Sequence, residues 1–197
     1  MNYQNKLDEL ILALESRPKV MLHSCCGPCS TQVLSYLVPY FDITVVYYNP
    51  NIEPVEEYLK RKQEQIRFIK EFNNPHIDFL DCDYDNEAFK KASIGLEQEL
   101  EGGARCPVCF RLRMSYVARL AKEKNYDYFG TTLTVSPHKN SQIINEIGAS
   151  LEKEYNVSFL YSDFKKKDGY KKSIEYSKKY GLYRQDYCGC LYSKRDN

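Results

Sequence analysis

The sequence contains no tryptophan, and no run of apolar residues in it approaches the roughly 20 residues of a membrane-spanning helix. Residues 1–15 mix Lys6, Asp8 and Glu9 into an amphipathic pattern, without the unbroken apolar segment of a secretory signal peptide. These absences predict a cytoplasmic protein that does not enter a membrane. No internal repeat, low-complexity tract or linker-like stretch divides the chain, so we expect a single domain over residues 1–197.

The composition is that of an ordinary globular protein, with 43% hydrophobic and 28% charged residues, which excludes a disordered or collagen-like chain. The net charge of +1 is unevenly distributed, because residues 105–140 and 164–197 are basic whereas residues 1–104 are acidic. Two basic blocks in a nearly neutral chain favour an anionic partner, with nucleic acid as the first candidate. The alternative interpretation of each block is a solvated helix face.

Seven of the eight cysteines fall in three tight groups. The groups are Cys-Cys-Gly-Pro-Cys at 25–29, Cys-Pro-Val-Cys at 106–109 and Cys-Gly-Cys at 188–190. In a secreted chain they would suggest disulfides, but a cytosolic chain is kept reduced, so clustered cysteines favour metal binding or redox chemistry. Cys82 stands alone in an apolar run and is interpreted as a buried structural thiol.

Short β-type runs alternate with segments of helical periodicity along the whole chain. The predicted strands are residues 20–23, 43–48, 77–80, 126–133 and 157–161. The predicted helices are residues 3–15, 54–72 (with Pro54 in the first turn), 107–123, 140–153 and 168–180, and a further helix follows the first cysteine group. This alternation favours an α/β fold, in which helices cover both faces of a parallel sheet of about five strands.

The predicted topology also places a site, because ligands bind beyond the carboxyl ends of the strands in an open parallel sheet. The first cysteine group directly follows the strand at 20–23, and Asn49-Pro50-Asn51 follows the second strand. Residues 131–134 end the fourth strand. We therefore expect these three segments to meet at one edge of the sheet, and the other two cysteine groups to fold back to it.

The residues alone leave the chemistry of the cysteines open. Cys26-Gly27-Pro28-Cys29 matches the thioredoxin motif and predicts thiol–disulfide exchange, but this leaves Cys25 and the other two groups unexplained. As metal ligands, thiolates select zinc, copper(I) or iron–sulfur clusters, and four-sulfur sites suit both zinc and iron–sulfur. Adjacent cysteines such as Cys25 and Cys26 are expected to diverge, and so to serve two neighbouring metal centres.

A series of motifs, taken in order, resembles the cobalamin-independent epoxyqueuosine reductase family of the QueH type. The stretches that carry the resemblance are His-Ser-Cys-Cys-Gly-Pro-Cys-Ser at 23–30, Tyr-Tyr-Asn-Pro-Asn-Ile-Glu-Pro at 47–54 with Glu57, Tyr58 and Arg61, Gly-Gly-Ala-Arg-Cys-Pro-Val-Cys-Phe-Arg-Leu-Arg at 102–113, residues 131–133, Ser-Pro-His-Lys-Asn at 136–140, residues 163–166, and Leu-Tyr-Arg-Gln-Asp-Tyr-Cys-Gly-Cys at 182–190. They cover nearly the full chain.

The resemblance implies a Rossmann-like α/β domain related to the HUP and PP-loop group, here a single metal-binding catalytic domain. It also implies an enzyme that reduces epoxyqueuosine to queuosine at the wobble position of tRNA. The implied cofactors are a [4Fe-4S] cluster and an additional iron ion. The implied ligands are Cys25, Cys26, Cys106, Cys109, Cys188 and Cys190, with Cys29 as a seventh thiolate at a position where some members carry Asp.

Removal of the epoxide oxygen is a two-electron, two-proton reaction, so it needs an electron source and a group that holds the departing oxygen. A low-potential donor such as ferredoxin or flavodoxin suits the first need, and an iron with an open position suits the second. Our hypothesis assigns the cluster to Cys106, Cys109 and one cysteine from each other group, and the second iron to the remaining cysteines with Cys29. The cysteines Cys25, Cys26 and Cys29 are the candidate catalytic residues.

The resemblance also singles out residues for contact with the modified base or the anticodon loop. These candidate substrate-binding residues are Tyr48, Asn49, Asn51, Tyr58, Arg61, Thr132, Lys139, Arg184 and Gln185. Lysines at 165–167 are candidate phosphate contacts, and His23 is either a proton donor or a satisfied buried histidine.

Two further interpretations remain open: a thiol–disulfide oxidoreductase that uses Cys26 and Cys29, and a zinc-stabilised RNA-binding module. A PP-loop ATPase is disfavoured, because residues 24–30 lack the Ser-Gly-Gly-x-Asp-Ser phosphate loop.

Overall fold

The computed structural model describes residues 2–194, so Met1 and residues 195–197 of the predicted domain lie outside it. The strands are β1 (Lys19–His23), β2 (Asp42–Val46), β3 (Ile77–Leu80), β4 (Tyr128–Thr131) and β5 (Ser158–Phe159). The helices are α1 (Tyr3–Leu12), α2 (Gly27–Leu37), α3 (Val55–Phe72), α4 (Asn86–Ala92), α5 (Arg105–Glu123), α6 (Ser141–Tyr155) and α7 (Gly169–Lys179), and short 3-10 turns lie at Leu133–Val135 and Leu191–Ser193.

The five strands form one parallel sheet in the order β3-β2-β1-β4-β5, which confirms the predicted Rossmann-like α/β class. β1 lies at the centre and is buried on both faces, which explains its unbroken apolar run Val20-Met21-Leu22. In the register of the sheet, His23 at the end of β1 lies opposite Val46 of β2 and Thr131 of β4. The carboxyl ends of three strands are therefore level with one another.

Two hydrophobic clusters cover the two faces of the sheet. One face is packed by α5 and α6, through residues such as Met114, Val117 and Leu151. The other face is packed by α1, α2 and α3, through residues such as Leu34 and Phe68. The predicted arrangement of helices on both faces is thus confirmed.

The element boundaries differ from the prediction at several points. The helix predicted from Pro54 begins at Val55, and Pro54 is the residue before its first turn. The fourth strand ends at Thr131, because residues 133–135 turn into a 3-10 helix. Helix α4 was not predicted; its seven residues bury one apolar side chain, Phe89, which is too little to give a periodic signal.

No helix within residues 2–194 is both long enough and apolar enough to cross a membrane.

Gly148 of α6 gives a test of how tightly the sheet and helix layers pack. A Cβ atom at this position would overlap the ring of Phe159, a core residue that is 2% exposed. Gly148→Ala gains about 1 kcal/mol of helix propensity, but overpacking a rigid core costs about 1–3 kcal/mol. Because the added Cβ would overlap the ring carbons themselves, we place the cost at the upper end of this range and expect the free energy of unfolding, measured by urea denaturation, to fall by about 1–2 kcal/mol.

Ser150→Ala is the matched control, since Ser150 is an exposed residue of the same helix. Its effect should stay within about 0.5 kcal/mol. A Gly148→Ala protein as stable as this control would show that the Phe159 ring can move aside.

Candidate metal centre

The first cysteine group occupies the turn between β1 and α2, at the carboxyl edge of the sheet. The Ser24 amide donates to the Val46 carbonyl, and the Thr132 amide donates to the His23 carbonyl, so the turn is fixed from both neighbouring strands. Cys26 immediately precedes α2 in an extended conformation, and Pro28 lies in the first turn of that helix. The predicted position of this group is therefore confirmed.

Cys25, Cys26 and Cys29 form a compact trio of thiols, with all three sulfur atoms within 4.8 Å of one another. The Sγ atoms of Cys25 and Cys26 are 3.9 Å apart. The predicted divergence of these two side chains is wrong, because the chain reverses direction between the strand and the helix and turns both sulfurs to the same side. A tetrahedral ion with bonds of about 2.3 Å to sulfur requires sulfurs about 3.8 Å apart, so the trio suits a single ion.

The three thiols shift one another's pKa values through their mutual contacts. Contacts from the Cys26 and Cys29 thiols hold the pKa of Cys25 well below its usual value. The contact with Cys25 raises the pKa of Cys26 to about 12, and contacts with both Cys25 and Cys26 raise that of Cys29. A thioredoxin-type site uses an isolated pair of thiols in a Cys-x-x-Cys motif. Here Cys25, outside that motif, lies in the same compact set as Cys26 and Cys29, which disfavours the disulfide-exchange interpretation.

Four other cysteines line one small cavity beside the trio: Cys106, Cys109, Cys188 and Cys190. Cys106 and Cys109 lie within the first five residues of α5, and Cys190 packs with Cys109 and Phe89. Gly189 has a φ of 109°, and a Cβ there would lie 2.8 Å from Ile52, so the Cys-Gly-Cys turn requires glycine. The hypothesis that divided each cysteine group between two metal centres depended on the divergence of Cys25 and Cys26. The structure instead places the seven cysteines in two sets, four around this cavity and three in the trio.

Buried arginines hold the two segments that complete this cavity. Arg61 of α3 pairs with Glu57 at 2.6 Å and donates to the backbone carbonyls of Tyr187 and Cys188 at 3.3 and 3.1 Å. Arg105 donates to three carbonyls of the loop before α5, those of Leu96, Glu97 and Glu99. The backbone around the cysteines is thus fixed by charge-assisted hydrogen bonds.

A cleft of about 450 Å³ opens beside the trio, and Cys25, Cys29 and Cys188 form part of its wall. Its charged lining residues are the cations Arg61, Arg113, Lys139, Arg184 and Lys194 and the carboxylates Glu101 and Asp186. Burial lowers the pKa of Lys139, but interaction with the nearby Cys188, Cys25 and Cys29 raises it by more, so the amine stays protonated. A cleft with this excess of cations suits an anionic ligand.

Comparison with known proteins identifies the family. The family model described as "Epoxyqueuosine reductase QueH" matches residues 20–196. The chain belongs to the QueH family. It is 45% identical to the epoxyqueuosine reductase QueH of Staphylococcus epidermidis, over 98% of this chain and 84% of that protein. It is 43% identical to the QueH of Streptococcus pyogenes serotype M1, over 99% of this chain and 79% of that protein.

One solved structure shows a weak likeness, a protein described as a predicted subunit of tRNA methyltransferase from Methanocaldococcus jannaschii. The TM-score is 0.48 at 14% identity, and the match covers 72% of this chain and 65% of that one.

The candidate substrate-binding residues, which were chosen from the resemblance to the QueH family, fall into two sets. Arg61, Lys139, Arg184 and Gln185 line the cleft. The Gln185 amide nitrogen lies 2.9 Å from the Cys26 sulfur, and its buried carbonyl oxygen has no partner among the described residues. Arg184 donates to the Ser177 hydroxyl at 3.1 Å. These four side chains are brought together with the cysteine trio.

The other five are buried and contact the protein itself. Tyr48 stacks on Tyr116 with ring centroids 3.8 Å apart, and the Tyr58 hydroxyl donates to the Cys82 carbonyl. The Asn49 amide donates to the Ser24 carbonyl at 2.8 Å. Thr132 touches the Cys25 sulfur at 3.9 Å, and Asn51 is 1% exposed with both polar side-chain atoms lacking partners in the described region.

The lysines at 165–167 diverge around the α7 entrance. Lys165 donates to the Lys139 carbonyl, whereas Lys167 pairs with Asp8 of α1. Lys166 is exposed. Cys82 is buried, with only 5% of its surface exposed, as predicted for a structural thiol.

His23 is a satisfied buried histidine. Its Nε2 lies 3.2 Å from the Tyr48 carbonyl, which can only accept, so this nitrogen carries the proton. Its Nδ1 then accepts from the Thr131 hydroxyl at 3.0 Å, while Thr131 accepts from the Leu133 amide. Burial, together with the charge of nearby Arg113, lowers the pKa of His23 to about 3. The neutral ring therefore ties β1 to the ends of β2 and β4.

Arg113 was not predicted as a site residue, although it lies in the matched stretch at 102–113. It is 1% exposed and lines both the cleft and the four-cysteine cavity. An arginine in a helical pattern is usually exposed, so the residue type alone does not predict that Arg113 is buried. Its position four residues after Cys109, one helical turn away, is the sequence signal that would have found it.

The neutral state of His23 predicts a pH dependence of stability. In the unfolded chain the imidazole takes up a proton below a pKa of about 6.5, but the folded protein resists protonation until about pH 3. The unfolded state binds more protons in this window, so stability falls as pH drops from 6.5 towards 3. Between pH 7 and pH 5 we expect this residue to account for a loss of about 2 kcal/mol.

The measurement is urea unfolding of the metal-free protein at both pH values, compared with His23→Gln. The variant should lose less stability over the same interval, since glutamine does not titrate. Replacement of His76, an exposed histidine beside Asp42, serves as the control. Equal pH dependence in His23→Gln and the wild type would contradict the assignment.

Proposed function

We propose that this chain reduces epoxyqueuosine to queuosine at the wobble position of tRNA, as a single α/β metal-binding catalytic domain. One observation carries the proposal: three distant cysteine segments meet at the carboxyl edge of the sheet, in a chain that belongs to the QueH family. Curated relatives across most of the chain are named epoxyqueuosine reductases. The reaction removes the epoxide oxygen as water, with uptake of two electrons and two protons.

The donor set fits the proposed metal groups. Seven thiols in two adjoining sets are what an iron–sulfur cluster and a further iron require, and cations next to them offset the charge of thiolates. In our proposal Cys106, Cys109, Cys188 and Cys190 hold a [4Fe-4S] cluster. Cys25, Cys26 and Cys29 hold the additional iron, because their sulfur spacing suits one ion.

When bound, such groups supply single electrons and a Lewis acid for the epoxide oxygen. The chain itself supplies the surroundings of that oxygen. Lys139 offers a protonated amine at the cysteine end of the cleft, and Gln185 lies between the cleft and Cys26. Cys25, Cys26 and Cys29 are the proposed catalytic residues, since they would hold the additional iron and lie at the cleft wall or directly behind it.

The cleft is the proposed site of the anticodon loop. Arg61, Lys139 and Arg184 provide positive charge for phosphate, which gives affinity without reading sequence. Tyr187 lines the same cleft and lies beneath the Arg61 guanidinium at 4.9 Å. An aromatic face in this position suits an unstacked base. The five buried residues, Tyr48, Asn49, Asn51, Tyr58 and Thr132, are proposed to support these contacts from behind.

Electrons for the reaction come, in this proposal, from a small low-potential donor such as ferredoxin or flavodoxin. All eight cysteines are free thiols, which persist in a reducing compartment, so we place the protein in the cytoplasm with its tRNA substrate.

The decisive experiment measures iron and acid-labile sulfide in protein purified without oxygen, followed by turnover of epoxyqueuosine-containing tRNA with dithionite-reduced donor. We expect about four sulfides with iron in slight excess, as a cubane cluster and one further ion require. Stoichiometric zinc without sulfide would overturn the proposal in favour of the zinc-stabilised RNA-binding module. Disulfide reduction that survives Cys106→Ala would favour the oxidoreductase alternative.

Cys29→Ala tests the assignment of the additional iron. Because the four-cysteine cavity is left intact, we expect this variant to keep its sulfide and lose about one iron, with little remaining turnover. Cys82→Ala is the matched control, a buried thiol outside both sets, and should keep the wild-type iron content. Unchanged iron and turnover in Cys29→Ala would remove Cys29 from the ligands.

Arg184→Gln tests the cleft as the RNA site. Loss of one phosphate contact should weaken binding of an anticodon stem-loop. It should also reduce the slope of log K against log salt concentration by about one. Lys91→Gln on α4 is the control, since Lys91 is exposed and lies outside the cleft lining. If both variants bind equally well at all salt concentrations, the loop does not use Arg184.

A further inference from the structure

Three arginines are among the largest fully buried side chains, and Arg113 differs from the other two. Arg61 has a carboxylate partner in Glu57, and Arg105 donates to three backbone carbonyls. The Nε of Arg113 donates to the Cys109 carbonyl at 3.3 Å, and its Nη1 reaches the Asn49 side-chain oxygen at 3.5 Å. Its Nη2 is buried and has no partner within residues 2–194.

Arg113 also has no carboxylate within ion-pair distance in the described part of the chain. A buried guanidinium is costly unless an anion lies nearby. Thiols surround it: it lines the four-cysteine cavity, and it lines the cleft together with Cys25 and Cys29, while Glu101 lies in both walls beyond ion-pair distance. The charges of Cys109, Cys188, Cys25 and Cys106 raise its pKa against the opposing effect of burial.

We propose that Arg113 is a positioning residue that supplies the positive charge shared by the two cysteine sets, and that it thereby raises the reduction potential of the metal centre they hold. The inference deepens the proposed function and rests on its metal centre. A fixed positive charge next to a group that gains an electron favours the reduced form, and hydrogen bonds to thiolate sulfur act in the same direction. The free Nη2 is the donor available for such a bond.

The test compares Arg113→Gln and Arg113→Lys with the wild type, all purified without oxygen. Arg111→Gln is the matched control, because Arg111 lies on the same helix but is exposed and paired with Glu154. Iron and sulfide are measured first, and the midpoint potential is then determined by a titration followed with electron paramagnetic resonance. Neither readout depends on turnover.

We expect Arg113→Gln to shift the midpoint to a more negative potential, so that the reduced-to-oxidised ratio at the wild-type midpoint falls about tenfold, which is about 59 mV for one electron. Arg113→Lys, which keeps the charge, should shift it less, and Arg111→Gln should not shift it. If Arg113→Gln fails to retain iron and sulfide, retention by Arg113→Lys supports the same role for the charge.

Three results would overturn the inference. The first is a midpoint in Arg113→Gln equal to that of Arg111→Gln. The second is an equal shift of the midpoint in Arg113→Lys and Arg113→Gln. The third is loss of metal from both of these variants. The second and third results would each assign the effect to the shape of the side chain and not to its charge. A wild-type protein without iron and sulfide would instead refute the proposed metal centre itself.

Discussion

The carboxyl edge of the sheet depends on one uncharged side chain. His23 joins the end of β1 to the Tyr48 carbonyl after β2 and to the Thr131 hydroxyl at the end of β4. All three segments then continue directly into parts of the site. Because the imidazole is buried and lies near Arg113, it stays neutral, with its proton on Nε2 facing the Tyr48 carbonyl. The polar framework next to the thiols is therefore fixed without adding a charge there.

The positive charges in this region belong to arginines, which donate hydrogen bonds to backbone carbonyls as much as to acidic side chains. Arg61 holds the carbonyls of residues 187 and 188, Arg67 those of Tyr180 and Gly181, and Arg105 those of residues 96, 97 and 99. Each bond satisfies a carbonyl in a segment without regular structure. The guanidinium group can do this because it presents five donors in a rigid plane. Segments far apart in sequence are thus held next to the cysteines by side chains of α3 and α5.

Much of the architecture could be predicted from the sequence, because it follows from local patterns. The β-branched run at 43–48 and the apolar run at 20–23 indicated central strands, and the parallel order placed Cys25 at the carboxyl edge. The shared face of Cys25 and Cys26 could not be predicted, since it depends on how the chain reverses before α2. The contacts of Arg113 and Tyr58 were equally hidden, because their partners come from distant segments.

The three cysteine segments are separated by almost eighty residues each, at 25–29, 106–109 and 188–190. In the proposed partition the cluster would link the start of α5 to the segment after α7, as cross-links do, whereas the iron would be held by residues 25–29 alone. Such links restrict the unfolded chain most when the loops they close are long. Oxidative loss of the metal would consequently do more than stop electron transfer: it would release the segment that carries Gln185 and Cys188, and protease cleavage between α7 and Cys190 would become an early sign of damage.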